Sequence, residues 1–213
     1  MKPLLALLLI PTLAHAGSWF ELEAGIGAAK TSDMGDGIWY QAGVPHSVGL
    51  TTPAYLAGAT GELVARDSWS LRYHVDYVYI GRLASSCLCV GDNQYDTHLH
   101  RASVAPFAYF NGQGHVQGVA LTLQPTYTWR GVEMGVEAGY WAYWQTWHDT
   151  VTNAGQTGNL DHKTGLQFAP VVGASVTYDG VSVSYRYYKE RPSWRPVPGI
   201  ATGTHMLTLV KRF

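Results

Sequence analysis

Beyond its first sixteen residues the chain contains no uninterrupted apolar run of about 18 residues, which excludes a membrane protein built from spanning helices. Charge is scarce: 14% of residues are Asp, Glu, Lys or Arg, and neither sign dominates. Nothing there provides the basic surface that a nucleic-acid partner requires. Cysteine is nearly missing too, with only Cys87 and Cys89, one residue apart. What the chain has in quantity is 14 Tyr, 8 Trp and 24 Gly, a balance unusual for a soluble α/β enzyme.

The opening Met1-Lys2-Pro3, the apolar run Leu4 to Leu13, and Ala14-His15-Ala16 before Gly17 have the layout of a secretory signal. The run is too short for a spanning helix. Cleavage after Ala16 leaves one domain, residues 17–213, with thirteen basic and fifteen acidic side chains and a formal charge of −2. No cysteine follows the cleavage point, so a lipoprotein anchor is not expected. Secretion places Cys87 and Cys89 where thiols oxidise. The expectation is a tight local disulfide closing a loop tip, which requires the backbone to turn between them.

The mature chain repeats a period of two, the mark of strands with one apolar face. Trp69, Leu71, Tyr73, Val75, Tyr77 and Tyr79 oppose Ser70, Arg72, His74 and Asp76; Val132, Met134, Val136, Ala138, Tyr140 and Trp144 oppose Glu133, Gly135, Glu137 and Gly139. Aromatics gather toward the strand ends on the apolar faces, as the two lipid and water interfaces favour. Glycine, serine and charge on the other faces suit the crowded inside of a narrow barrel. Arg66-Asp67-Ser68, Arg130-Gly131 and Asp179-Gly180 read as tight turns, whereas the connections near 29–52, 82–115, 146–163 and 190–203 are long external loops.

The count is eight strands, at 19–28, 53–65, 69–81, 116–129, 132–145, 164–178, 181–189 and 204–213. The expected fold is all-β, an eight-stranded antiparallel transmembrane up-and-down β-barrel, with ten strands as the alternative. Residues 101–110 are the ambiguous segment, placed in the second external loop as an extension of the wall above the membrane. Pro125 and Pro170 fall inside strands and imply bulges or displaced boundaries there.

The chain ends His205-Met206-Leu207-Thr208-Leu209-Val210-Lys211-Arg212-Phe213. Leu207, Leu209 and the final Phe213 resemble the last strand of outer-membrane barrels, the segment handled by the insertion machinery. Lys211 departs from that pattern and is read as snorkelling to inner-leaflet headgroups. Together with the signal, the strand count and the turn asymmetry, this makes the mature chain resemble the eight-stranded OmpA/OmpX-type surface barrels of Gram-negative bacteria. The resemblance implies an outer-membrane location with both termini periplasmic. Its partners would be outer-membrane lipid, lipopolysaccharide and, through Phe213, the insertion machinery.

Eight strands enclose an interior filled by side chains rather than an open channel. Inward candidates are Glu21, Glu23, Glu62, Arg72, His74, Asp76, Glu133, Glu137, Arg186 and Arg212. Six acids face three arginines and one histidine, so at least one carboxylate is expected to be protonated or to lie near a wet barrel end. The favoured reading of these groups is a structural plug, ahead of a proton or ion path.

His98 and His100, with Asp92, Asp96 and the cysteines, are metal-ligating residue types, but their spacing fits no closed metal site. No metal or cofactor is expected. Ser103 and His205 are the residues to weigh for a lipid A hydrolase or acyltransferase, yet the His-X-Ser arrangement of the lipid A deacylases is missing. Lys189, Arg191 and Arg195, around Trp194, are placed to meet lipopolysaccharide phosphate. The expected role is a non-enzymatic scaffold presenting surface loops for adhesion, host or phage contact, or envelope maintenance, with the loop ligand unknown. A lipid A modifying enzyme is the alternative, and a narrow pore comes third.

Overall fold

The computed structural model describes residues 19–32, 46–49, 51–90, 107–153, 155–190 and 203–213. They form ten strand segments: β1 (Glu21–Thr31), β2 (His46–Gly49), β3 (Thr51–Arg66), β4 (Trp69–Val90), β5 (Phe107–Trp129), β6 (Val132–Asn153), β7 (Gln156–Lys163), β8 (Gln167–Tyr178), β9 (Val181–Lys189) and β10 (Gly203–Arg212). Eight of them close an antiparallel ring in the order β1-β3-β4-β5-β6-β8-β9-β10, with β10 returning to β1. The other two add no stave to the ring. β2 pairs with β4 where β3 leaves off, and β7 pairs with β6 beyond β8, so each prolongs its neighbour in sequence.

Two-residue turns join β3 to β4, β5 to β6 and β8 to β9. In two of them both central residues take positive φ: Arg130 at 51° with Gly131 at 80°, and Asp179 at 50° with Gly180 at 69°. This primed geometry matches the twist of the strands that it connects. The start of β1 and the end of β10 meet at the same rim, where the Phe213 amide donates to the Leu22 carbonyl at 2.9 Å and Glu23 pairs with Arg212.

Three of the expected long loops contain strand among their described residues, and 146–163 is almost wholly strand. The segment 82–115 is taken up at both ends, by β4 through Val90 and by β5 from Phe107; residues 107–110 therefore belong to β5, while 101–106 lie outside the described residues. The segment 146–163 is the far end of β6 plus β7, and 29–52 contributes the end of β1, all of β2 and the start of β3. A tilted spanning strand needs about 9–11 residues. β9, β10 and β1 have 9, 10 and 11, whereas β4, β5 and β6 have 22, 23 and 22. Among the described residues, the strands on one side of the barrel end near the membrane, while those on the other stand well above it.

The prolines produce no bulge. Across Pro125 the β5–β6 register is the same on both sides, Leu123 to Ala138 and Thr126 to Gly135, with the ladder merely interrupted. Pro170 pairs with Tyr140 on β6 and precedes the first β8–β9 pair, Val171 with Tyr188. Each ring therefore sits where a ladder bond is already missing. Register shifts occur instead between Glu62 and Val64 on β3 and between Ile80 and Leu83 on β4.

Side-chain polarity reverses along the barrel axis. Near the turns Val75, Tyr77, Val119, Leu121, Val136 and Tyr140 are exposed on the outside, while Arg72, His74, Asp76, Thr122, Gln124 and Glu137 are buried within. Farther up, Val78, Ile80, Leu83, Val116, Trp141, Tyr143 and Trp147 are buried within, and the outside carries Arg82, Gln113, His115, Thr146 and His148. The lower half is oily outside and the upper half oily inside. The apolar belt on β5 runs from Val119 to Trp129, about the length of one membrane crossing.

Candidate functional site

The charged inward residues of the lower half pair across the lumen. Arg72 reaches Glu62 at 2.7 Å and Glu21 at 3.3 Å, and Arg212 reaches Glu133 at 2.7 Å. These acids keep 26–31% of their side chains exposed, so they open to water at the rim. Deeper in, Arg186 on β9 contacts Asp76 and Glu137, each at 2.6 Å, with all three side chains at most 3% exposed. The Asp76 contact is a directed hydrogen bond. The Glu137 contact is as short but lies off the N–H direction, so charge rather than hydrogen bonding holds it.

His74 completes the layer: Nδ1 meets Glu23 at 2.7 Å, Nε2 meets Gln124 at 3.2 Å, and Gln124 Nε2 donates to Ser175 at 2.9 Å. Gly58 makes the space. A Cβ there would fall 2.3 Å from the Asp76 carboxylate and 2.2 Å from the Val75 carbonyl. Glu23, His74 and Asp76 bring donor atoms within 4.8 Å of one another, which would suit a cation, but the Arg186 guanidinium bound to Asp76 already supplies positive charge there. The ten inward acids and bases fall into separate groups, Arg72 with Glu21 and Glu62, Arg212 with Glu133, and the deeper layer of Arg186, Asp76, Glu137, His74 and Glu23, and the three acids of the first two groups lie at the wet rim.

Sequence reasoning missed what closes the lumen above. Trp141 stacks on Tyr143, ring centroids 4.3 Å apart, and packs against Tyr188 at 4.8 Å; its Nε1 donates to the Lys189 carbonyl at 3.0 Å. Val78, Ile80, Leu83, Val116 and Met206 belong to the same cluster. The hollow among the charged residues is about 20 Å³, room for roughly one water. The signal was present in the sequence. The parity that turns Glu133, Gly135 and Glu137 inward does the same for Trp141, Tyr143, Gln145 and Trp147.

Two buried acids lie above the spanning segments. Glu190, one residue past β9 in the segment read as a loop, is 1% exposed and accepts hydrogen bonds from Thr204 at 2.8 Å and Gln145 at 3.3 Å. Burial pushes its carboxyl up to about 8, and the two donors offset only part of that. Asp149 accepts from the Trp147 indole at 2.8 Å, and burial pushes it up to about 6.

The remaining candidates do not assemble. His205 is exposed on the outer wall, with Nδ1 bonded to the Tyr185 hydroxyl at 2.7 Å and its ring near Tyr187; no described carboxylate orients it. Lys211 turns back to donate to the Asp179 carbonyl at 3.2 Å. Lys189 is exposed at the end of β9, while Arg191, Trp194 and Arg195 lie outside the described residues. So do the signal segment 1–16, Asp92, Asp96, His98, His100 and Ser103. Cys87 and Cys89 sit on β4, paired through their backbones with Phe110 and Ala108, in the wall rather than at a loop tip; their side chains are not among those described.

A closed antiparallel ring with a lipid-compatible belt and a polar lower lumen defines a membrane-spanning β-barrel. No protein-family model and no curated protein matches the sequence. Solved structures similar to it include Ail, the attachment invasion locus protein of Yersinia pestis, at 12% identity over 91% of this chain and 97% of that one with a TM-score of 0.42. Neisserial surface protein A (NspA) is similar at 14% identity over 93% of this chain and 98% of that one, also with a TM-score of 0.42.

Proposed function

We propose that the protein is a non-enzymatic outer-membrane barrel, with both termini in the periplasm, whose tall wall of β4, β5, β6 and β7 presents a contact surface outside the cell. The observation that carries this reading is the sealed lumen beneath a raised wall. Ion pairs fill the spanning half and the Trp141, Tyr143 and Tyr188 rings close the next level. Such a barrel holds its outer parts in place and transports nothing. Adhesion, host or phage contact, and envelope maintenance are the roles open to it.

The test pairs two measurements on the folded protein. Its band should shift on heating before electrophoresis, and planar bilayers containing it should show no stepwise current. Reproducible discrete conductance would put a pore in place of the scaffold. Unchanged lipid A masses in cells lacking the protein are expected as well; a lost acyl modification would restore the enzyme alternative. Lys189, Arg191 and Arg195 are proposed to meet lipopolysaccharide phosphate, and alanine at Arg191 and Arg195 should then weaken lipopolysaccharide binding. Phe213 is proposed as the residue that the insertion machinery engages.

A further inference from the structure

On the outer face of the tall wall, four adjacent strands share a cleft of about 540 Å³. Its lining includes Tyr79 and Arg82 from β4, His115 from β5, Thr146 and His148 from β6, and Lys163 from β7. Register explains why they converge. His115 pairs with Thr146 and Thr146 with Lys163, so three outward side chains form one row across the sheet. Arg82 joins the row through the irregularity between Ile80 and Leu83, whose partners Val116 and Gly114 flank His115. Bulges of this kind re-aim side chains, and here Arg82 emerges exposed while Ile80 and Leu83 both stay buried. The row spans three strand spacings, about 14 Å, with a cation at each end.

Its height on the barrel is equally definite. The next outward row below is Tyr79, Gln117 and Trp144, and beneath it β5 becomes continuously apolar from Val119, which pairs with Tyr77. The cleft therefore opens at the boundary between hydrocarbon and water. No described acid stands in an ion pair with Arg82, Lys163 lies 5.8 Å over the Trp144 ring, and Asp161 is the acid that shares the cleft's lining. Asp161 is engaged by His148 at 2.5 Å. Burial holds His115 below the ordinary imidazole range, so it serves as a neutral hydrogen-bonding group beside Thr146, at 2.9 Å, and Gln117, at 3.2 Å.

We propose that this cleft binds the phosphorylated saccharide headgroup of an outer-leaflet glycolipid, with Arg82 and Lys163 on phosphate and His115, Thr146 and Tyr79 against the sugar. A guanidinium and an ammonium at the two ends of a neutral polar row suit phosphate esters, and the volume is that of a small-ligand site. The apolar belt directly below accommodates the acyl chains of such a lipid and has no use for a free anion. The inference rests on the outer-membrane reading above.

The test uses the full folded chain in nanodiscs containing bisphosphorylated lipid A, matching nanodiscs in which that lipid is dephosphorylated, and inorganic pyrophosphate as the soluble probe. Arg82 and Lys163 are exposed, so the R82A/K163A double variant should keep the heat-dependent gel shift of the native protein. It should bind the phosphorylated lipid at least about tenfold more weakly, with no difference toward the dephosphorylated one. Pyrophosphate binding as tight as lipid binding, with the same dependence on Arg82 and Lys163, would keep the phosphate site but move its ligand into solution. Equal binding by variant and native protein, or no preference for phosphorylated lipid, overturns the site. Loss of the heat shift in the native protein would instead bring down the membrane reading itself.

Discussion

Along β6 the inward residues Glu133 and Glu137 of the turn-side half give way to Trp141, Tyr143 and Trp147 in the far half, while the outward Val136 and Tyr140 give way to Thr146 and His148. One strand thus serves as a membrane stave and then as a stave of a water-soluble barrel. The alternation never changes period; the surrounding solvent decides which face is oily. In the lower half hydrocarbon lies outside, burying apolar side chains gains little, and the lumen is fixed by charge. In the upper half water lies outside and an apolar core forms as in any soluble domain.

The sharpest way to break this comparison is to remove the central cation below. Arg186→Met leaves Asp76 and Glu137 buried without it and should cost about 3–5 kcal/mol in urea unfolding from lipid vesicles. Changing Asp76 and Glu137 to Leu in the same protein should recover most of the loss, since the penalty belongs to stranded charge rather than to lost attraction. In the upper half the corresponding damage is steric. Trp141→Phe deletes the bond to Lys189 and part of a filled volume, for about 1–2 kcal/mol, with no change in the salt dependence of unfolding.

Glu190 sharpens the contrast through pH. Its carboxyl, ordinarily near 4.5, stands at about 8 in the folded chain. The unfolded state therefore releases its proton first, and stability that is complete below about pH 4.5 drains away as pH rises toward 8. Glu190→Gln should flatten that slope between about pH 6 and 8 in unfolding titrations, above the range in which Asp149, at about 6, also contributes. A slope that persists from about pH 6 to 8 in the variant would assign the response to another group. The smallest effect belongs to the rim: Arg212→Met, facing a Glu133 that water already reaches, should cost about 1 kcal/mol or less.

The ring, the tight turns and the inward charge were legible because the membrane half obeys a single rule, oily out and polar in, and Arg130-Gly131 and Asp179-Gly180 punctuate it. The tall wall was not, for the same reason. Above Tyr79, Val119 and Trp144 the outward positions become polar, so a reading that follows the greasy outer face stops at residues 81, 116 and 145 although Val116, Trp147 and Val151 continue the inward series. The irregularity at Gly81 and Arg82 also shifts the parity of β4 by one and hides its extension. Glu190 was invisible for a different reason: no local pattern tells that Thr204 and Gln145, far away in sequence, will enclose it.

The seam between β1 and β10 has a consequence for biogenesis. Every other pair in the ring joins strands that are consecutive along the chain or separated by only β2 or β7, but here Thr31 meets Thr204 across 173 positions. Neighbouring hairpins zip locally, whereas this one must wait for the last segment to arrive. Until then both margins of the sheet offer unpaired amides and carbonyls, the surface on which chains template one another into aggregates. Protection of these margins until the seam closes is accordingly a need written into the order of the strands.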